Sequence, residues 1–191
     1  MELLLLRHSI TPGNLKRQYI GSTDQPLAPE GEALARKRRG EMPEIGGLWV
    51  SPMLRCRQTA LLFPGVEQRQ VPQLRECAFG RFEEKTWEEL KDDPLYRAWM
   101  GGDLTITFPG GENMQGFLER SRRGIEAVVW EAEAAGVDRG AVVAHGGTWL
   151  AVMSAFGRPE WELYRWQPEN CRGWRVEVRR EPLELRVLEA L

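Results

Sequence analysis

Short apolar runs that stop abruptly at charged or turn residues dominate the pattern of this chain. Leu3-Leu4-Leu5-Leu6 runs into Arg7-His8, and Ala141-Val142-Val143-Ala144 runs into His145-Gly146-Gly147. Compact apolar runs of this kind predict strands buried on both faces of an α/β sheet. Leu48-Trp49-Val50, stopped by Ser51-Pro52, predicts a short second strand, and Gln70-Val71 a third. Trp174, Val176 and Val178 alternate with polar residues, as do Leu183, Leu185 and Val187, which predicts a half-exposed hairpin turning near Glu181-Pro182.

Between these runs the period lengthens. Pro29 suits the first turn of a helix to about Arg39, and residues 54–63 form a second helix stopped by Pro64-Gly65. Met114, Phe117, Leu118, Ser121, Ile125, Val128 and Val129 keep one face of the longest helix, about 113–135, and Gly136 lies where a C-terminal cap belongs. A further helix is expected from Thr148 to Phe156. Residues 9–29 read as a polar loop, and 75–112 as an irregular section with two short helices, 87–91 and 95–100. Alternating strands and helices ending in a hairpin predict a three-layer α/β/α sandwich with a mostly parallel sheet. Residues 1–191 are expected to form one domain, with 75–112 as a small cap over the sheet edge.

Composition narrows the partners. The chain is 42% hydrophobic and 28% charged, with a formal net charge of −2. That balance argues against nucleic acid as the main partner. No apolar stretch is long enough for a membrane span, and the Met1-Glu2 start lacks a basic leader, so a cytoplasmic location is expected. Three cysteines without metal-ligand spacing indicate neither a disulfide framework nor zinc. Arg36-Lys37-Arg38-Arg39 is expected to be a solvated helix end. Oligomeric state has no signature in the sequence.

Only two histidines occur, and both follow predicted strands. In open α/β sheets the ligand crevice lies outside the carboxyl ends of the strands, so His8 and His145 are placed where such folds do chemistry. Competing schemes fail on motif: no serine sits in a G-x-S-x-G elbow, no phosphate-cradling G-x-x-x-x-G-K-[ST] loop exists, and no dinucleotide fingerprint follows a strand. With Arg7 on the first strand and Arg55 after the second, the loops converge two histidines and two guanidiniums. That set has the composition of a pocket for a dianionic phosphate. An imidazole nitrogen can attack phosphorus while the cations neutralise the equatorial oxygens.

At these residues the chain resembles the histidine phosphatase superfamily, also called phosphoglycerate mutase-like, over nearly its whole length. Leu6-Arg7-His8-Ser9 is similar to the family's R-H-G signature, with Thr11 and Asn14 at the usual offsets. Gly21-x-x-Asp24-x-Pro26-Leu27 and Ser51-Pro52-Met53-Leu54-Arg55-x-x-Gln58-Thr59-Ala60 resemble the next two blocks. Leu74-x-Glu76-x-x-Phe79-Gly80-x-Phe82-Glu83, Pro109-Gly110-Gly111-Glu112 and Val143-x-His145-Gly146 complete the order.

The resemblance implies a phosphomonoester hydrolase with His8 as the phosphate-accepting nucleophile. Arg7, Arg55 and His145 would hold the phosphoryl group, helped by Asn14, Gly21 and the Gly146 backbone. Glu76, which on its own reads as a surface carboxylate in a charged loop, would protonate the leaving oxygen. No cofactor and no metal is implied, and the partner is a small-molecule phosphomonoester. Ser9 stands where the family usually has glycine; its Cβ resists conformations glycine allows, and its hydroxyl can instead reach a phosphate. Residues 76–83, Tyr96-Arg97-Ala98-Trp99 and Asn170-Cys171-x-x-Trp174 look most like the α-ribazole phosphatases of cobalamin biosynthesis. Trp87, Trp99 and Trp149 offer faces on which a heteroaromatic base can stack, although such residues more often pack in a core or rim. A mutase-type phosphotransferase and a weakly catalytic phosphoester-binding protein remain the alternatives.

Overall fold

The computed structural model describes residues 1–191. Seven strands form one mixed sheet: β1 Glu2–Arg7, β2 Gly47–Val50, β3 Gln68–Gln70, β4 Arg139–Ala144, β5 Gly157–Arg158, β6 Gly173–Arg180 and β7 Leu183–Ala190. Their order is β3-β2-β4-β1-β6-β7-β5. The pairs from β3 to β1 are parallel, β6 is antiparallel to β1 and β7, and β5 joins β7 in parallel. The seven helices are α1 Pro12–Leu15, α2 Pro29–Arg39, α3 Leu54–Thr59, α4 Trp87–Leu90, α5 Pro94–Met100, α6 Met114–Ala134 and α7 Gly146–Phe156.

Side chains alternate across a strand, so each apolar run feeds two cores. Leu3, Leu5, Val142 and Ala144 pack with Ile125, Val128 and Val129 of α6 and Trp149 and Val152 of α7. Leu4, Leu6, Ala141 and Val143 pack on the other face with Cys56 of α3 and Leu34 of α2. This is the expected three-layer arrangement. A third cluster joins Phe79, Phe82, Tyr96 and Phe108 to Phe117 and Ala151, seating residues 75–112 on α6 and α7.

Four local expectations change. The loop over residues 9–29 is not wholly irregular: Thr11 and Asn14 cap the single turn of α1 reciprocally. α7 begins at Gly146, two residues ahead of Thr148, with His145 as its N-cap. The sheet has one strand more than the six expected, since β5 pairs with β7 in parallel. In the basic run Arg38 turns inward, donating Nη1 to the Cys171 carbonyl at 2.6 Å, while Arg36, Lys37 and Arg39 stay exposed. All three cysteines are free and buried, and no helix is long and apolar enough to cross a membrane.

Candidate active site

Strand register assembles the site. Arg7 pairs with Ala144 and Val50 with Val143, so β2, β4 and β1 end side by side and release Ser51, His145 and His8 from one edge. His8 N–H continues the ladder to the Ala144 carbonyl at 2.9 Å, and Ser51 N–H to the Val143 carbonyl at 2.9 Å. The two imidazoles meet edge to face with ring centroids 5.2 Å apart.

Each ring is held in a defined tautomer. His8 Nδ1 lies 2.7 Å from the Ser9 carbonyl, which can only accept, so Nδ1 carries the proton and Nε2 keeps its lone pair. Arg55 Nε donates to His145 Nδ1 at 3.2 Å, which leaves the proton on Nε2, 2.7 Å from Ser51 Oγ. Burial holds both histidines well below the ordinary imidazole range, and the charges of Arg55 and Arg7 push them further. Both rings are therefore neutral at pH 7.

The guanidiniums differ in what they have left to give. Arg55, fully buried, spends Nη1 on the Thr23 carbonyl and Nη2 on the Gly21 carbonyl, both at 2.9 Å. Arg7 donates Nη1 to the Pro168 carbonyl at 2.9 Å, but its Nε is buried without a partner. A buried donor without an acceptor is costly in a finished structure and ordinary in a binding site.

Arg7 and His8 open onto a cleft of about 720 Å³ that also takes in Asn14, Glu76 and Gly146. Asn14 accepts from Asn170 Nδ2 at 3.0 Å, which steadies its amide. Glu76 accepts from Gly147 N–H at 2.9 Å and Cys77 N–H at 3.1 Å. Burial nevertheless raises its carboxyl above the usual range, outweighing those bonds and the nearby arginines.

Arg55, His145 and Gly21 lie outside the cleft lining. Arg55 and His145 form the layer behind His8. Gly21 lends its carbonyl to Arg55, and a Cβ there would come within 1.8 Å of the Cys77 carbonyl oxygen. The Ser9 hydroxyl does not face the cleft: it donates to the Gly31 carbonyl at 2.8 Å, and the residue keeps a negative φ, so serine costs the backbone nothing here. Trp87 and Trp99 line the cleft, whereas Trp149 is wholly buried in the α6–α7 core and offers no stacking face.

Sequence reasoning passed over Arg17, Arg122 and Gln167, which also line the cleft. Arg17 and Arg122 make no ion pair, and no local motif marks them. Arg17 sits three residues after Asn14 in a left-handed conformation, φ 55°, a signal visible only in the folded backbone.

Set on a phosphoglycerate mutase-like sheet, two neutral histidines with buried guanidiniums place the protein among enzymes that handle phosphoesters. Residues 3–190 match the histidine phosphatase superfamily (branch 1), and the chain belongs to that family. A curated relative from Serratia proteamaculans, named "Probable phosphoglycerate mutase GpmB", is 27% identical over 95% of this chain and 87% of its own. The crystal structure of a phosphoglycerate mutase from Thermus thermophilus is 33% identical, covers 100% of this chain and 98% of that one, and superposes with a TM-score of 0.76. That of the alpha-ribazole phosphatase from Shigella flexneri shares the fold, with a TM-score of 0.81 at 24% identity over 98% of this chain and 96% of that one. The protein is thus a histidine phosphatase family enzyme, and the family implies a phosphorylated small-molecule substrate.

Proposed function

We propose that the protein hydrolyses a phosphomonoester through a phosphohistidine on His8, with a bulky, largely apolar leaving group such as that of α-ribazole 5'-phosphate. The observation that carries this reading is the buried, unpartnered Nε of Arg7 beside an imidazole whose Nε2 lone pair is free. The donor awaits an anion, and the nucleophile stands next to it.

In the first step the Nε2–P bond forms as the bond from phosphorus to the leaving oxygen breaks. Arg7, Asn14 and the N-terminus of α7 at Gly146 stabilise charge on the equatorial oxygens. Arg55 contributes positive potential from the layer behind; it and His145 reach phosphoryl oxygens only by exchanging the bonds to Thr23, Gly21 and Ser51. Glu76, whose carboxyl burial raises above the usual carboxylate range, gives its proton to the departing alkoxide. Its carboxylate then takes a proton from water as that water attacks the phosphohistidine, releasing phosphate and regenerating both groups.

The size and walls of the cleft favour hydrolysis of a large substrate. Its volume far exceeds that of a three-carbon phosphoester, and Tyr19, Phe79, Trp99 and Tyr164 supply broad faces. The phosphoglycerate mutase reading keeps support from the named relatives. Assaying phosphate release from α-ribazole 5'-phosphate, an aryl phosphate and 3-phosphoglycerate, beside isomerisation of 3- to 2-phosphoglycerate, separates the two. Hydrolysis of the bulky esters with no isomerisation is expected; isomerisation that outpaces all hydrolysis overturns the proposal.

A further inference from the structure

Arg55 presents an electrostatic problem that its immediate neighbours do not solve. Its guanidinium is fully buried, and no carboxylate pairs with it. A buried charge without a counter-charge is expensive. Its partners are carbonyl oxygens of one loop, Thr23 and Gly21 at 2.9 Å and Ile20 at 3.5 Å, together with His145 Nδ1.

The other side of that loop carries the missing charge. Glu83 accepts from Ser22 N–H at 2.8 Å, Gly21 N–H at 2.9 Å and Thr23 N–H at 3.4 Å, and from the hydroxyls of Ser22 and Thr23. The Gly21 carbonyl and the Ser22 N–H belong to one peptide unit, as do the Ile20 carbonyl and the Gly21 N–H. In a trans peptide these groups point in opposite directions. Two peptide dipoles therefore lie between anion and cation, N–H toward Glu83 and C=O toward Arg55. The missing side chain at Gly21 lets this sandwich close, since a Cβ would strike the Cys77 carbonyl and Glu83 Oε1.

We propose that Glu83 is a positioning residue that counters the charge of Arg55 through two intervening peptide groups and so fixes the tautomer of His145. Glu83 touches no substrate; it acts through the loop, then Arg55, then His145. Burial alone would raise its carboxyl, yet the bonds from Gly21, Ser22, Phe79 and Thr23 leave it below the usual range, an anion throughout the working pH. The catalytic consequence rests on the proposed reading of the site, but the tautomer can be measured without turnover.

Only two histidines occur, so long-range ¹H–¹⁵N imidazole spectra resolve both rings. In the unmodified protein His145 should appear protonated at Nε2 and His8 at Nδ1. Glu83→Gln removes the charge and sets an NH₂ against backbone N–H groups. It should convert His145 to a mixture of tautomers, leave His8 at Nδ1, and lower kcat roughly 10–100-fold with little change in KM. A folded Glu83→Gln protein whose His145 signal is unchanged overturns the proposal, whatever its activity. If that variant does not fold, Glu83→Asp keeps the charge but draws it back from the Gly21 and Ser22 N–H groups, and should shift His145 in the same direction by less. An unmoved His145 in the folded Glu83→Asp protein is equally fatal. Loss of kcat with the His145 change intact but no phosphohistidine on His8 would instead condemn the reading of the nucleophile.

Discussion

At and behind the floor of the cleft, hydrogen bonds hold the side chains: His8, Arg55 and His145 are buried, and apart from His8 Nε2 each of their side-chain nitrogens has an assigned partner. The cap wall is held instead by aromatic edges, with Trp99 centred 5.2 Å from Tyr19, 5.4 Å from Phe79 and 5.1 Å from Phe108. Hydrogen bonds are directional and fix atoms to fractions of an ångström, whereas apolar packing tolerates swaps of similar volume. The difference assigns phosphoryl transfer to the floor and choice of leaving group to the wall. Floor substitutions should then change kcat for every substrate, and wall substitutions should change KM selectively.

The largest break falls at the nucleophile. His8→Ala is expected to lose activity on the order of 10⁴-fold or more on all phosphomonoesters, measured as phosphate release. Any substrate that escapes the loss would detach that reaction from the floor.

Glu76 sharpens the comparison because it belongs to the floor yet acts on the leaving group. Glu76→Gln should slow an alkyl phosphate by roughly 10²–10⁴-fold. The burst with p-nitrophenyl phosphate, whose leaving group scarcely needs a proton, should slow far less. Equal losses in the two burst rates would mean that Glu76 shapes the pocket and supplies no proton.

Trp99→Ala tests the wall. KM for bulky aromatic phosphates should rise about tenfold while kcat for small alkyl phosphates stays within about twofold. A uniform fall in kcat would show that wall and floor are not separable.

The smallest effect concerns stability. Both histidines are held neutral by burial and by Arg55 and Arg7, so the unfolded chain binds protons that the folded chain does not. Their contribution is therefore complete above the unfolded value of about 6.5 and is lost as pH falls below it, by roughly 1.4 kcal/mol per pH unit for each histidine. Glu76, raised by burial, runs the opposite way, costing stability as pH rises above the ordinary carboxylate range. Denaturant melts between pH 7 and 5 should show a net loss on acidification, shallower in His8→Gln.

Much of the floor was legible because strand ends are. The four-leucine run and the Ala-Val-Val-Ala run place His8 and His145 at one sheet edge without any knowledge of distance. What lay behind them was not legible. That Arg55 binds loop carbonyls more than thirty residues upstream is set by the fold, and Glu83 stands in the sequence only as the last position of a family-like block, with no role attached. Whether Trp149 packs in the core or faces a ligand was not legible, because α7 is apolar on most sides and periodicity does not say which face meets the core. β5 escaped because two residues carry no period, and its pairing with β7 is set by tertiary packing.

The central claim is that the free nitrogen of His8 takes the phosphoryl group. Rapid quenching of the protein with ³²P-labelled substrate, followed by peptide mapping under basic conditions that preserve phosphohistidine, tests it most directly. An acid-labile, base-stable label on His8 that forms and decays at rates consistent with turnover is predicted. A label on any other residue, or steady turnover with no phosphoenzyme at any time, would contradict it.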